Sequence, residues 1–77
     1  MYILFELQTT NGVTAIVTPQ TFDNKGQADS AAHMALASAA VSSVDVHTVM
    51  LVNEQGAVIR REGYDHVNGT YFFDIGE

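Results

Sequence analysis

The segment from Asn24 to Ser43, NKGQADSAAHMALASAAVSS, is the one stretch that reads as a helix, and the strand-like runs around it must pack against it. Ala28, Ala31, Ala32, Ala35, Ala39 and Ser42 recur at spacings of three and four, which on an α-helix makes one continuous stripe of small side chains. Such a stripe buries little area of its own. Its physical use is to bring the helix axis close to a sheet that supplies the bulk. Asn24 followed by Gln27 resembles a capping box, with Asp23 as the alternative cap, and Ser42 and Ser43 mark the end.

The outer side of this helix is a poor solvent face. Met34, Ala37, Ala40 and Val41 lie away from the small-residue stripe, and only Asp29, Ser30, His33 and Ser38 bring polarity to it. A helix apolar on nearly every side is usually buried on more than one, and a 77-residue chain has little left with which to cover it. Met34, Ala37, Ala40 and Val41 are therefore expected to form an interface with another copy, in a dimer or larger homo-oligomer.

Before the helix, Tyr2–Gln8 and Val13–Thr18 are β-rich runs separated by a polar stretch with Asn11-Gly12, a strong hairpin signal. Ile3, Phe5 and Leu7 alternate with Tyr2, Leu4, Glu6 and Gln8, so the first set is expected to face the helix, opposite Val13, Ala15 and Val17. Pro19 is expected to close the second strand, and Phe22 to pack under the helix start. After the helix, Val46–Val52 is the most apolar run, which suggests a central strand covered on both faces, with His47, Val49 and Leu51 on one face and Val46, Thr48, Met50 and Val52 on the other. Asn53-Glu54-Gln55-Gly56 is a turn, Ala57–Glu62 a returning strand, and Tyr64–Val67, Asn68-Gly69 and Thr70–Ile75 a further hairpin. That last arm can extend the sheet or cross to a partner subunit.

The expected fold class is α+β, a single domain over residues 1–77: a mostly antiparallel sheet with one Ala-rich helix on one face, in the order ββαββ plus a C-terminal β-arm. One helix leaves the second face of the sheet partly bare, holding Leu4, Ile16, Met50 and, if the pleats are in phase, Ile59. This is a second reason to expect assembly.

Composition narrows the function. Nine acidic against three basic residues give a net charge of −6, which opposes direct nucleic-acid binding and adhesion to an anionic membrane. One small phosphorylated ligand remains compatible, because a local pair of arginines can outweigh distant acids. The absence of cysteine removes disulfides, thiolate chemistry and Cys-based zinc sites. No apolar run reaches membrane-span length, and MYILFEL is short for a signal peptide and lacks its basic start, so a cytoplasmic protein is the default.

No catalytic motif, metal-ligand spacing or phosphate-binding glycine loop is present, so neither an enzyme nor a cofactor is expected. His33 reads as a surface or interface residue and His47 as a half-buried side chain of a central strand. The one concentration of polar function is Arg60-Arg61-Glu62-Gly63-Tyr64-Asp65-His66. Arginine suits bidentate contacts to carboxylate or phosphate, and Tyr64 and His66 can stack on a base or bond a ribose, with His47 as a further candidate. Adjacent strand residues point to opposite faces, so only one of Arg60 and Arg61 can join Tyr64 or His66. The plainer reading is an edge strand protected by its charges, with the arginines paired to Glu62, Asp65 or acids of another subunit.

Val44-Asp45-Val46-His47-Thr48 and Arg61-Glu62-Gly63-Tyr64-Asp65-His66, following an Ala-rich helix and an N-E-x-G turn, resemble short uncharacterised accessory proteins of bacteriophages and prophages of gut bacteria. Gly26 at the helix start departs from that pattern, where a more acidic, helix-forming residue is expected. The resemblance implies a phage-type accessory protein, a setting in which small oligomeric proteins counter host defence. Two functions follow. One is a non-enzymatic homo-oligomeric module that sequesters a small anionic, nucleotide-like ligand between subunits through Arg60, Arg61, Tyr64, His66 and His47. The other is an acidic inhibitor that binds a host defence or nucleic-acid-handling protein.

Overall fold

Asn11 and Gly12 both adopt positive φ, 53° and 79°, the backbone of a two-residue hairpin turn whose twist matches that of its strands. The turn joins β1 (Tyr2–Thr10) to β2 (Val13–Phe22); α1 (Lys25–Ala40), β3 (Val46–Asn53), β4 (Val58–Asp65) and β5 (Thr70–Ile75) follow. The computed structural model describes residues 1–75. All five strands form one antiparallel sheet in the order β2-β1-β3-β4-β5, with α1 alone layered on one face, so the fold class is α+β.

The helix starts at its expected cap: the Asn24 side chain accepts a hydrogen bond from the Gln27 backbone N–H at 3.1 Å. It ends at Ala40, short of Ser42 and Ser43, where the Val41 and Ser42 N–H groups close the last turn on Ser38 and Ala39 carbonyls. The small-residue stripe is the buried face. Ala28, Ala32 and Ala39 are sealed against Leu4, Val49, Leu51 and Ile59, with Ala31, Ala35 and Leu36 packed beside them and Phe22 under the helix start.

Three strand expectations are corrected. First, Ile3, Phe5 and Leu7 do not face the helix. Leu4 pairs in register with Leu51 and is buried with it under α1, which puts Tyr2, Leu4 and Glu6 on the covered face and Ile3, Phe5 and Leu7 on the other. Leu4 and Ile59 accordingly leave the expected bare face for the core, while Ile16 and Met50 remain on it. Ile59 turns inward at an irregularity, because Val52 pairs with Val58 while Leu51 pairs with Arg60. Second, Pro19 does not close β2. The strand runs to Phe22 through a register shift opposite Leu4–Glu6, and an edge strand tolerates a residue without a backbone donor there.

Third, Ala57–Glu62 and Tyr64–Val67 are not separate strands. β4 runs unbroken through Gly63, which pairs with Thr48 on one side and Phe72 on the other. A Cβ on Gly63 would lie 2.5 Å from the Phe72 ring and closer still to the His47 carbonyl oxygen. Glycine therefore serves as a seat for the Phe72 ring. The C-terminal arm extends the sheet of its own chain, pairing with β4 from Asp65↔Thr70 to Arg60↔Ile75.

Candidate functional site

The register sorts the polar residues onto the helix-covered face. Gln8, His47, Tyr64 and Tyr71 form one cross-strand row there, and Glu6, Val49, Glu62 and Phe73 the next. Two acids lie in these rows, Glu62 buried and Glu6 partly exposed, and each has a partner. His47 is 4% exposed and its Nε2–H donates to Glu6 Oε1 at 2.6 Å, while its Nδ1 is buried without a hydrogen-bond partner. Glu62 is 6% exposed and receives Arg60 Nε at 2.9 Å and the Tyr71 hydroxyl at 2.9 Å.

The second cluster continues into the helix. Arg60 Nη1 lies 3.3 Å from His33 Nε2, and His33 Nδ1–H donates to the Asp29 carbonyl at 2.7 Å. Arg60 Nη1 is also 3.2 Å from His33 Nδ1, so the guanidinium sits against the imidazole, and the charge-assisted bonds at Glu62 join β4 and β5 with α1 alongside. Partial burial, and then the hydrogen bond to the Glu62 carboxylate, hold the Tyr71 hydroxyl above the ordinary phenol pKa. At the other end of β4, hydrogen bonds from the Asn68 side chain and backbone, with a further one from the Val67 N–H, hold Asp65 below the usual carboxylate range. These bonds shape the β4–β5 turn.

The sequence-named residues divide among four places. Tyr64 and His66 come together, their rings stacked at 5.9 Å and 10°, and His66 Nε2–H donates to the Ala39 carbonyl at the end of α1. His47 pairs across the ladder with Tyr64 but is turned to Glu6. Arg60 shares their face at the far end of β4, occupied by Glu62. Arg61 is on the opposite face, exposed, with its guanidinium 4.7 Å over the Phe72 ring. No arginine joins Tyr64 and His66. On the outer helix side, Met34 and Val41 are 70% and 87% exposed, and Ala37 and Ala40 are exposed beside them.

Sequence reasoning passed over Glu6, Tyr71 and Phe72 as functional groups, and named Glu62 only as one of several acids the arginines could pair with. Their significance depends on cross-strand neighbours: Glu6 meets His47 41 residues away, and Tyr71 meets Glu62 nine residues away. The available signal was the pair of acids alternating with apolar residues in strands, which reads equally well as a solvated face.

Two surface features flank the helix. Beyond its β4 side, Tyr64, Tyr71 and Phe73 form an aromatic shelf with centroids 5.1 and 6.4 Å apart. On its β2 side is an open cleft of about 320 Å³, walled by Leu4, Val17, Ala31 and Ala35, with Glu6, Gln20 and Ser38 as its polar groups and Met34 at its lip. Among the described residues no group of three or more His, Asp or Glu is placed to hold a metal ion, and no helix is long and apolar enough to cross a membrane.

The face turned away from the helix is apolar. On the inner strands it carries Ile3, Phe5 and Leu7 of β1 and Val46, Thr48, Met50 and Val52 of β3, with Ile16 beside them on β2 and Phe72 on β5. Neither β1 nor β3 presents a charge there, whereas β4, the third inner strand, presents Arg61 and Asp65. No protein-family model matches the chain, and no curated protein or solved structure matches it either.

Proposed function

We propose that this chain is a small non-enzymatic binding module that works as a homo-oligomer in the cytoplasm, joined through its open sheet face to a second copy. One observation carries this reading: the more apolar face of the sheet is the uncovered one, with Ile3, Phe5, Leu7, Met50 and Val52 in a charge-free patch. The whole face, five strands about 4.8 Å apart and about 25 Å long, presents about 600 Å², with Arg61 and Asp65 of β4 at one side of the apolar patch. Two copies face to face therefore bury about 1,200 Å², the lower end of a specific interface. A charge-free centre also lets two chains of net charge −6 approach.

The ligand in this reading is small, anionic and nucleotide-like, held between subunits. Arg61 supports it, being exposed on the joining face and stacked on Phe72, an arrangement suited to a phosphate beside a base. Native mass spectrometry of gently purified protein tests this. A reproducible small mass on the oligomer, lost in Arg61→Ala and kept in Arg60→Ala, is the expected result; a clean oligomer in all three overturns the ligand.

A second reading is favoured by the state of the other cations. Arg60 is bound by Glu62 and Lys25 lies 3.6 Å from Asp29, so two of three basic side chains are neutralised within the chain. The acidic surface then suits a basic host protein. Its signature is salt-sensitive binding that Arg61→Ala leaves intact. The phage-type, anti-defence setting for either activity rests on the resemblance of Val44–Thr48 and Arg61–His66 alone.

A further inference from the structure

The cleft between α1 and the β1–β2 edge differs in chemistry from every feature considered above. Its apolar lining is Leu4, Phe5, Val17, Ala31 and Ala35, and among the described residues its one charged lining group is Glu6. The carboxylate is fixed: Oε1 accepts from the buried His47 at 2.6 Å, while Oε2 has no hydrogen-bond partner among the described residues. Glu6 lines the cleft and its side chain is 24% exposed, so its carboxylate is partly desolvated yet open to entry. Among the described residues no basic side chain lines the cleft. Gln20 and Ser38 supply neutral polar contacts at its sides, and Met34, 70% exposed, offers a flexible thioether that packs well on an aromatic ring.

From this geometry we infer that the cleft binds a small organic cation, a primary ammonium carried on a compact apolar or aromatic body. The ammonium donates to Glu6 Oε2, and the body lies along the Leu4, Val17 and Ala35 wall. A volume of about 320 Å³ suits a ligand of that size. Charge selects among isosteres. An ammonium makes a charge-assisted bond to the carboxylate, an alcohol makes only a weaker one, and a carboxylate ligand is repelled both by Glu6 and by the net charge of −6. His47 acts as a positioning residue, holding Glu6 toward the cleft from behind. Apart from Phe5, which borders the cleft at the β1–β2 register shift, the lining belongs to the helix-covered side of the sheet, so the site does not depend on assembly.

An amide chemical-shift titration with benzylamine at neutral pH tests the inference, with benzyl alcohol and benzoate as matched probes. The expected result is saturable shifts at Glu6, Val17, Ala35 and Ser38, with benzyl alcohol bound at least about tenfold more weakly and benzoate not at all. Glu6→Gln is expected to weaken benzylamine by a similar factor while the spectrum stays dispersed. Should that variant lose its fold, the three-probe comparison on the unaltered chain still decides. Equal binding of benzylamine and benzyl alcohol overturns the site, as do shifts confined to Tyr71 and Phe73 or no saturable shift at all. A monomer that still takes up benzylamine would refute the assembly and leave this site standing.

Discussion

The two faces of the sheet invert the usual allocation of polar and apolar residues. Beneath the helix lie Glu6, Gln8, His47, Glu62 and Tyr64 with a compact apolar patch of Leu4, Val49 and Leu51; away from it lie Ile3, Phe5, Leu7, Val46, Met50 and Val52. An alanine-faced helix covers polar residues at little steric cost, provided each acid finds a partner, as Glu6 does in His47 and Glu62 in Arg60. The open face has no such specification. Its side chains shade one another, leaving Phe5, Leu7 and Met50 only half-buried, and the largest remaining hydrophobic gain is to bury them against another chain. One face thus accounts for the fold of the single chain; the other is left apolar and uncovered by the helix.

Neighbouring residues on β1 separate these roles most sharply. Leu4→Ala is expected to destabilise the folded chain by about 3 kcal/mol in chemical denaturation, since it opens a cavity in the sealed core. Phe5→Asp, one residue on, is expected to leave the far-ultraviolet spectrum native while weakening self-association by about a hundredfold. A comparable loss of fold in both variants would erase the distinction between the faces.

The next largest effect falls on the covered face. Glu62→Gln leaves the Arg60 guanidinium, only 17% exposed, without its carboxylate and is expected to cost about 3 kcal/mol in denaturant titration. A loss within experimental error would mean that water compensates Arg60 and that the polar network contributes little.

On the open face, Gly63→Ala forces a Cβ into the Phe72 ring and the His47 carbonyl, an overpacking of about 1–3 kcal/mol. Combining it with Phe72→Ala should restore part of that loss and no more, because the carbonyl contact persists. Full rescue would assign the strain to the ring alone.

The smallest expected effects are in pH dependence. Tyr71 is raised, so its contribution is fully present below the ordinary phenol pKa and is lost as pH climbs through the raised value; Tyr71→Phe should remove this alkaline step. Asp65 is lowered, so its contribution is present above the ordinary carboxylate pKa and fades as pH falls through the lowered value; Asp65→Asn should flatten that acid limb. Thermal unfolding across pH reads both.

Local chemistry made much of the fold legible. Asn11-Gly12, the Asn24 cap, the alanine stripe and the two faces of Val46–Val52 each act through near neighbours, and each is where the residues indicate. The pleat of β1 was not legible for a physical reason. The rule that the more apolar side of a strand faces its own core fails here, because the pairing of Leu4 with Leu51 under α1 fixes the pleat and leaves Ile3, Phe5 and Leu7 on the uncovered face. Gly63 read as a strand breaker because its use, seating Phe72, depends on a strand that comes later in the chain. The opposed faces of Arg60 and Arg61 were legible from strand alternation; the capture of Arg60 by Glu62 was noted only as one pairing among several.

Sedimentation equilibrium of the unaltered chain from low to high micromolar concentration, beside Phe5→Asp, addresses the role of the open face most directly. Two faces with separate roles require a mass of at least twice one chain for the unaltered protein and a single-chain mass for the folded variant. A folded, single-chain species across the whole range for the unaltered protein would contradict it, and the apolar face would then need no second copy.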